Sequence, residues 1–215
     1  SLHDALPIFH VPLTEQPEYN GTQLIHSKVI ASYLRQLLRN DLQYAPFRME
    51  GMEQDVREMM EIDTPQGKLA LQIGGTIDRL DSKGDTLRIV DYKTGGTPKT
   101  PENIEQLFTP ADNRPNYIFQ TFLYAAILCR KQSLKVAPSL LYIHRAASES
   151  YSPVIEMGAP RQPKVPVNNF AFFEDEFRER LHGLLQEIFS QEETFSQTED
   201  TRKCEYCDFR SLCKR

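Results

Sequence analysis

Two carboxylates and one lysine stand in two neighbouring β-rich runs of the sequence. Asp78 lies in the run Gly-Thr-Ile-Asp-Arg-Leu-Asp, and Asp91 and Lys93 lie in the run Ile-Val-Asp-Tyr-Lys-Thr-Gly. If these runs pair as an antiparallel hairpin, both carboxylates reach the same end of the sheet, and the i, i+2 spacing puts Asp91 and Lys93 on one face. These charges are poor core material unless they have a function. A surface hairpin with solvated charges is the alternative interpretation.

The chemistry that needs this set of side chains is metal-assisted hydrolysis of a phosphodiester. Hard cations such as Mg²⁺ take oxygen ligands, usually one or two carboxylates together with water and phosphate oxygens. The cation lowers the pKa of a bound water and stabilises charge on the phosphate. A neighbouring lysine orients or helps to deprotonate that water, or it balances the developing negative charge.

The elements that must position these residues follow from hydrophobic periodicity and turn signals. The order is one helix, three strands, a second helix, a fourth strand and a third helix, which predicts an α/β (α+β) fold with a central mixed sheet flanked by helices. Thr22 is the expected cap of the first helix. The predicted ranges are helix 22–40, strands 47–62, 68–80 and 86–92, helix 117–130, strand 138–144 and helix 170–193.

The composition is that of one globular domain with an appendage. The chain has 215 residues, of which 40% are hydrophobic and 26% are charged. No stretch reaches the ~18 apolar residues that a membrane span needs, and no secretory signal is visible. The net charge of −5 weakly disfavours a nucleic-acid partner, but a cation site also collects carboxylates, so the charge does not decide. Residues 1–21 are expected to lie outside the core.

Three of the four cysteines crowd into the last twelve residues, as Cys204, Cys207 and Cys213. A secreted disulfide scaffold spreads its cysteines along the chain, so this pattern favours a reduced, cytoplasmic protein. Two thiolates separated by two residues can share one metal with a third thiolate from the next turn, as in zinc and iron–sulfur sites. A disulfide and unligated thiols are the alternatives.

Three motifs make the family recognisable. They are Gly75-Thr-Ile-Asp-Arg-Leu-Asp81, Asp91-Tyr-Lys-Thr-Gly95 and Gln120-Thr-Phe-Leu-Tyr124. In order, spacing and predicted local structure they resemble the motifs of RecB-type nucleases of the PD-(D/E)XK superfamily. The similarity spans about residues 22–215, with 22–200 as the nuclease domain and 201–215 as a Cys-rich tail. It is strongest to the C-terminal nuclease domain of AddB-like helicase–nuclease subunits, and it implies a restriction-endonuclease-like fold.

The resemblance implies a role for each matched residue. Asp78 and Asp91 would bind Mg²⁺ or Mn²⁺ together with the backbone carbonyl of Tyr92, and Lys93 would be the catalytic lysine. Gln120 and Tyr124 share a helix face because they are four residues apart. In the family that face looks toward the active site and the DNA, so both residues are candidates for the catalytic machinery.

Three further residues have open roles. Glu53 resembles the acidic residue on the first core strand, and Glu50 is the competing choice. His26 corresponds to a metal-binding histidine that many RecB-type nucleases carry on the first helix, although its gap from Gly21 is one residue longer than the pattern. A packed or solvated helix histidine is the alternative. Arg79 is expected to pair with Asp81 or Lys93, or to touch phosphate.

The tail resembles that of AddB-like nucleases, where three cysteines bind a [4Fe–4S] cluster with a fourth, upstream cysteine. Here no cysteine precedes Cys129. The fourth cluster ligand is expected in a missing N-terminal part. The alternatives are that Cys129 supplies it, or that the tail has lost the cluster or binds Zn²⁺ with the help of a histidine. Cys129 itself sits in an apolar helix, where a buried structural cysteine is the default.

The resemblance therefore implies a metal-dependent DNA nuclease, an exonuclease in type, that works in double-strand-break repair. Upstream helicase-like domains and a helicase–nuclease partner subunit are the implied partners, because the chain has no Gly-x4-Gly-Lys-Ser/Thr motif of its own. DNA is expected to approach from the side of Lys93, Lys99, Arg114 and Gln120. The alternatives are a catalytically inactive DNA-binding or scaffolding domain, and an adaptor whose tail carries all function.

Overall fold

A computed structural model describes residues 20–111, 113–148, 150–190 and 197–214. The expected non-core segment therefore lies almost entirely outside the described residues, and its separation from the nuclease domain stays a prediction. The helices are α1 Gly21–Tyr44, α2 Glu105–Phe108, α3 Asn116–Cys129, α4 Glu174–Ile188 and α5 Arg210–Cys213. The strands are β1 Arg48–Thr64, β2 Gly67–Lys83, β3 Thr86–Lys93, β4 Lys135–Tyr142, β5 Glu156–Met157 and β6 Val165–Pro166.

The four long strands form one mixed sheet in the order β1-β2-β3-β4. β1, β2 and β3 are antiparallel neighbours, and β3 pairs with β4 in parallel. A parallel pair needs a crossover connection, which α3 provides between β3 and β4. The predicted fold class, a mixed sheet of four core strands flanked by helices, is confirmed.

The sheet separates two apolar clusters because successive side chains of a strand point to opposite faces. On one face, Ile89 of β3 and Leu140 of β4 join the main core with α3 and α4. On the other face, Val90 and Leu141 form a smaller cluster against Tyr33 and other residues near α1. Charged side chains at the end of β3 are thus directed toward α3 or toward α1 according to their position.

The first helix differs from its prediction in its start and in its exposed face. Asn20, not Thr22, caps α1: its side chain accepts from the Gln23 amide, and the Gln23 side chain accepts from the Asn20 amide. Tyr33 and Leu37 pack on the smaller cluster. The rest of the apolar stripe is exposed to solvent, with side chains 42% to 76% accessible at Leu24, Ile25, Val29, Ile30, Leu34, Leu38 and Leu42.

The last predicted helix is shorter than expected. A 3₁₀ turn occupies Phe170–Phe172, and α4 follows from Glu174 to Ile188. Phe177 and Leu181 of α4 are buried against the sheet core, as their spacing predicted. Among the described residues, no helix is long and apolar enough to cross a membrane.

Candidate active site

The two predicted ligand carboxylates lie at the end of the β2–β3 ladder. The described pairing ends at Arg79 opposite Val90, so Asp78 and Asp91 are the next residues on the two strands. The prediction that Asp78 ends its strand was wrong, because β2 continues to Lys83. It is the pairing of β2 with β3 that ends near Asp78. Asp91 is buried, with 4% of its surface exposed, and Asp78 is half-buried. The Asp78 carboxylate accepts a 2.8 Å hydrogen bond from the Tyr92 amide.

Lys93 is held between a carboxylate and an aromatic ring. Its Nζ lies 2.5 Å from Oδ2 of Asp91, which confirms that the i, i+2 spacing puts both side chains on one face. The same ammonium lies 4.2 Å from the centroid of the Tyr117 ring, a cation–π distance. The Lys93 side chain is only 14% exposed, so it is already confined where a substrate would meet it.

Asp91 is a buried carboxylate whose counter-charge, Lys93, only partly offsets the effect of burial. Burial raises the pKa of Asp91, the Lys93 ammonium opposes that rise, and the negative charge of Asp78 adds to it. Apart from its ion pair with Lys93, Oδ2 of Asp91 has no hydrogen-bond partner among the described residues. An additional cation would stabilise the ionised form of this buried carboxylate.

The donor set fits a hard divalent cation. Mg²⁺ is usually bound through one or two carboxylates and keeps several waters or phosphate oxygens. Asp78 and Asp91 supply two carboxylates, and the Tyr92 backbone carbonyl is the predicted third oxygen. In the part of the chain that the structure describes, no three His, Cys, Asp or Glu side chains form a group that could hold a metal.

Gln120 and Tyr124 of α3 share a face, as predicted, and bond to each other. Gln120 Nε2 donates to the Tyr124 hydroxyl at 2.9 Å. Tyr124 is 4% exposed and lies against Gly75 of β2, where an added Cβ would come within 2.6 Å of the hydroxyl. The absence of a side chain at Gly75 therefore lets α3 approach β2 three residues before Asp78.

A family model described as the PD-(D/E)XK nuclease superfamily matches residues 8–214. The chain belongs to this superfamily. No curated protein matches it. That Asp78 and the unit Asp91-Tyr92-Lys93 are the acid and the acid-x-Lys unit of this superfamily stays a prediction from the sequence.

Arg79 anchors the site of this PD-(D/E)XK chain from the opposite face of the sheet. It is 2% exposed, and it bonds to Asp81 as predicted, but its second carboxylate is Asp41 of α1 and not a group near Lys93. The reason is the alternation of β2, which turns Arg79 and Asp81 away from Asp78. Arg79 Nη1 also donates to the Tyr92 hydroxyl at 3.1 Å. Tyr92 is thus fixed at its amide by Asp78 and at its ring by Arg79.

Of the two candidate acids on β1, the structure places Glu53 nearer to the carboxylate pair. The register on either side, Met52 opposite Arg79 and Gln54 opposite Ile77, aligns Glu53 with Asp78. Glu53 is exposed and has a left-handed φ of 47°, which interrupts the regular alternation of β1. Glu50 lies at a register shift, where it accepts from the Ser82 hydroxyl. The geometry supports the choice of Glu53 over Glu50.

His26 and the tail cysteines are not brought into a metal site within the described residues. His26 is exposed near the start of α1, and no three-residue ligand group includes it. Cys204 is buried, Cys207 is exposed and Cys213 is half-buried, all as free thiols. Cys129 is likewise free; it lies at the end of α3 against the main core and is half-buried, less than the default of a buried structural cysteine predicts. The predicted iron–sulfur cluster has no support from this geometry.

Sequence reasoning missed three residues around the site. Tyr117 precedes Gln120 and Tyr124 on α3 by three and seven residues, so helical spacing could have placed it on their face. Tyr142 ends β4 opposite Lys93, a parallel register that only the structure gives. Asp41 lies 38 residues before its partner Arg79, and no sequence pattern predicts the pair.

Proposed function

We propose that this PD-(D/E)XK chain is a divalent-metal-dependent DNA nuclease. The observation that carries the proposal is the pair Asp78 and Asp91 at the end of the β2–β3 ladder, with Lys93 ion-paired to Asp91. An inactive scaffolding domain would have no need to keep two like charges and a confined lysine together, since such a group is unfavourable in the absence of cation and substrate.

In the proposed reaction, Asp78, Asp91 and the Tyr92 carbonyl would hold Mg²⁺ or Mn²⁺. When bound, the cation supplies an acidified water and charge stabilisation at the phosphate. Lys93 offers a positive charge at the same edge, and its contacts to Asp91 and Tyr117 fix where that charge lies. An ammonium positioned in advance can stabilise negative charge as it develops, without reorganisation during the reaction.

The remaining site residues orient these groups and the substrate. Asp78 holds the Tyr92 amide, so the carbonyl of the same residue is presented in a fixed direction. Gln120 and Tyr124 form a bonded pair on the helix that faces β2. We assign half-buried Gln120 to a contact with the DNA strand and buried Tyr124 to the positioning of Gln120. Glu53, aligned with Asp78, is the proposed additional acid, and His26 has the weakest structural support of the predicted ligands.

We further propose that the nuclease is of the RecB type and acts on DNA ends in double-strand-break repair, in the cytoplasm, as part of a larger helicase–nuclease. The support is the order and spacing of the three motifs, Gly75–Asp81, Asp91–Gly95 and Gln120–Tyr124. The [4Fe–4S] cluster of the tail stays a prediction. Anaerobically purified protein without iron, and without a charge-transfer band in the visible spectrum, would contradict it.

The test is cleavage of end-labelled linear DNA, single- and double-stranded, in Mg²⁺ or Mn²⁺ with EDTA as the negative control. Lys93→Ala and Asp91→Asn are expected to lower the rate by about 10²–10⁴-fold, the range for loss of a catalytic proton-transfer or charge-stabilising group. Asp85→Asn is the matched control. Asp85 is an exposed acid of the same hairpin, paired with Lys135, and its loss should leave cleavage within about twofold.

Two results would overturn the proposal. Undiminished cleavage by Lys93→Ala would show that another centre does the chemistry. A folded wild-type chain that neither binds Mn²⁺ nor cleaves either substrate would favour the DNA-binding or scaffolding function instead.

A further inference from the structure

A cavity of about 320 Å³ lies beside Lys93, between the loop after β3 and the start of α3. We call it the tyrosine cavity; its walls include Gly96, Lys99, Arg114, Tyr117 and Tyr142. Pockets that bind small ligands have volumes of ~300–1,000 Å³, so this one is at the lower limit and suits a single nucleotide-sized group.

The tyrosine cavity shares its wall with the candidate active site. Tyr117 contributes its ring both to the cavity and to the cation–π contact with Lys93 Nζ. Tyr142 is the register partner of Lys93 across the parallel β3–β4 ladder. A Cβ added at Gly96 would lie 3.5 Å from Tyr117 and 3.8 Å from Tyr142, so this backbone runs close to both rings. A group in the cavity would thus be next to a phosphate held at Lys93.

The cavity contains two cations without carboxylate partners among the described residues. Lys99 Nζ donates to the backbone carbonyls of Asn113 and Arg114, at 2.7 and 3.3 Å. Arg114 Nε donates to the Asn116 side-chain oxygen at 2.8 Å. No acidic side chain is among the residues that line the cavity. Arginine with unused donors, next to lysine, is the arrangement that recognises phosphate oxygens.

Tyr142 supplies a further donor. It lines the cavity, and 3% of its surface is exposed. Burial raises the pKa of Tyr142 to about 12, with smaller contributions from Tyr151 and Tyr117, so the hydroxyl keeps its proton at neutral pH. A protonated hydroxyl in a cavity wall can donate a hydrogen bond to a polar ligand.

We propose that the tyrosine cavity is a nucleotide subsite, in which Lys99 and Arg114 bind the phosphate of the nucleotide next to the scissile bond and Tyr117 stacks on its base. This inference rests on the proposed nuclease function and adds to it a preference for an unpaired strand. Stacking on a tyrosine face needs a base that is free of its duplex partner. The phosphate is either an internal diester or the monoester at a DNA end.

The first test measures binding to the full chain in EDTA, where cleavage does not occur. The probes are deoxythymidine 5′-monophosphate, thymidine and inorganic phosphate, each titrated by calorimetry. We expect the nucleotide to bind at least about 10-fold more tightly than either of the other two, because only it uses both the cations and the ring. The variant with Lys99→Gln and Arg114→Gln should lose the preference for the nucleotide over thymidine, because the ring remains and the two cations do not.

Lys68→Gln is the matched control for the change of charge. Lys68 lies at the far turn of the β1–β2 hairpin, where it pairs with Glu61, so its loss should leave nucleotide binding unchanged. Equal affinity for nucleotide and inorganic phosphate in the wild-type chain would overturn the proposal, as would a preference for nucleotide over thymidine that survives in the double variant.

The second test separates the subsite from the nuclease. With a single-stranded oligonucleotide as substrate, Arg114→Gln should raise KM about 10-fold, and more than it lowers kcat, whereas Lys93→Ala should act on kcat. Comparing 5′-phosphorylated with 5′-hydroxyl substrates distinguishes an end monoester from an internal diester. Cleavage that Arg114→Gln leaves unchanged would refute the subsite alone. Nucleotide binding that depends on Lys99 and Arg114, in a chain without cleavage, would refute the nuclease alone.

Discussion

Replacing Gly75 by alanine tests how closely α3 packs on β2. The added Cβ would lie 2.6 Å from the Tyr124 hydroxyl, 2.9 Å from Cε1 and 3.1 Å from Cζ. Contacts below about 3.0 Å require one partner to move. Tyr124 is 4% exposed in the middle of α3, so a movement of its ring disturbs the residues that pack around it. Overpacking of this kind costs about 1–3 kcal/mol of the free energy of unfolding.

The expected effect on thermal unfolding follows from the length of the chain. In domains of 150–250 residues, 1 kcal/mol shifts Tm by about 2–4 °C, so Gly75→Ala should lower Tm by about 2–12 °C. Gly183→Ala is the matched control. Gly183 lies within α4, and nothing stands within 4 Å of an added Cβ. There the same substitution should raise stability by about 0.5–1 kcal/mol, because alanine is the better helix former.

The clash should also affect the candidate active site, because the Tyr124 hydroxyl accepts a hydrogen bond from the Gln120 side chain. Gly75→Ala is expected to lower cleavage by displacing this pair, whereas Gly183→Ala should not. Adding Tyr124→Phe removes the closest atom of the clash and should restore part of the lost Tm. Circular dichroism during heating measures all four proteins. A Tm for Gly75→Ala at or above wild type, or a double variant that recovers nothing, would refute the packing argument.

Two further predictions concern buried polar groups near α4. Arg178 donates hydrogen bonds to Glu58 at 2.8 and 3.0 Å, to Glu174 and to the Ala126 carbonyl. Arg178→Met should therefore lower the free energy of unfolding by about 3–5 kcal/mol, because it leaves half-buried carboxylates without their partner. Urea unfolding measures this change, and an unchanged midpoint would contradict the prediction. Burial, and to a smaller extent Glu174, raises the pKa of Cys129 to about 11, against the effect of Arg178. The thiol is therefore protonated at pH 8, and it should react with a disulfide reagent far more slowly than exposed Cys207 until denaturant is added.

The parts of the site that the sequence predicted are those with short-range signals. The hairpin of β2 and β3 follows from two β-rich runs around the turn Ser82-Lys83-Gly84-Asp85, and the pairing brings Asp78 beside Asp91 without further information. The i, i+2 spacing of Asp91 and Lys93 and the i, i+4 spacing of Gln120 and Tyr124 are equally local. Each of these relations holds in the structure.

What the sequence did not predict depends on contacts between distant segments. Tyr142 meets Lys93 only because β4 enters the sheet in parallel with a particular register, after a crossover through α3. Asp41 reaches Arg79 only because α1 crosses the face of the sheet that Arg79 occupies. For α1, periodicity correctly predicted a helix, but the burial of its stripe depends on which other elements cover it. Most of that stripe is exposed in the described structure.

The alternation of β3 explains how a charged site is tolerated next to a hydrophobic core. Val90 and Tyr92 point to the α1 face, where Val90 is buried and the Tyr92 hydroxyl meets Arg79. Asp91 and Lys93 point to the α3 face, where burial raises the pKa of Asp91. Packing therefore fixes β3 at Val90 and Tyr92, whereas Asp91 and Lys93 carry charges that burial makes unfavourable. An unfavourable arrangement of charges persists only where the surrounding fold determines the backbone independently. In this chain the independent support is the Arg79 network, because it holds Tyr92, the residue between the two charges, without using either of them.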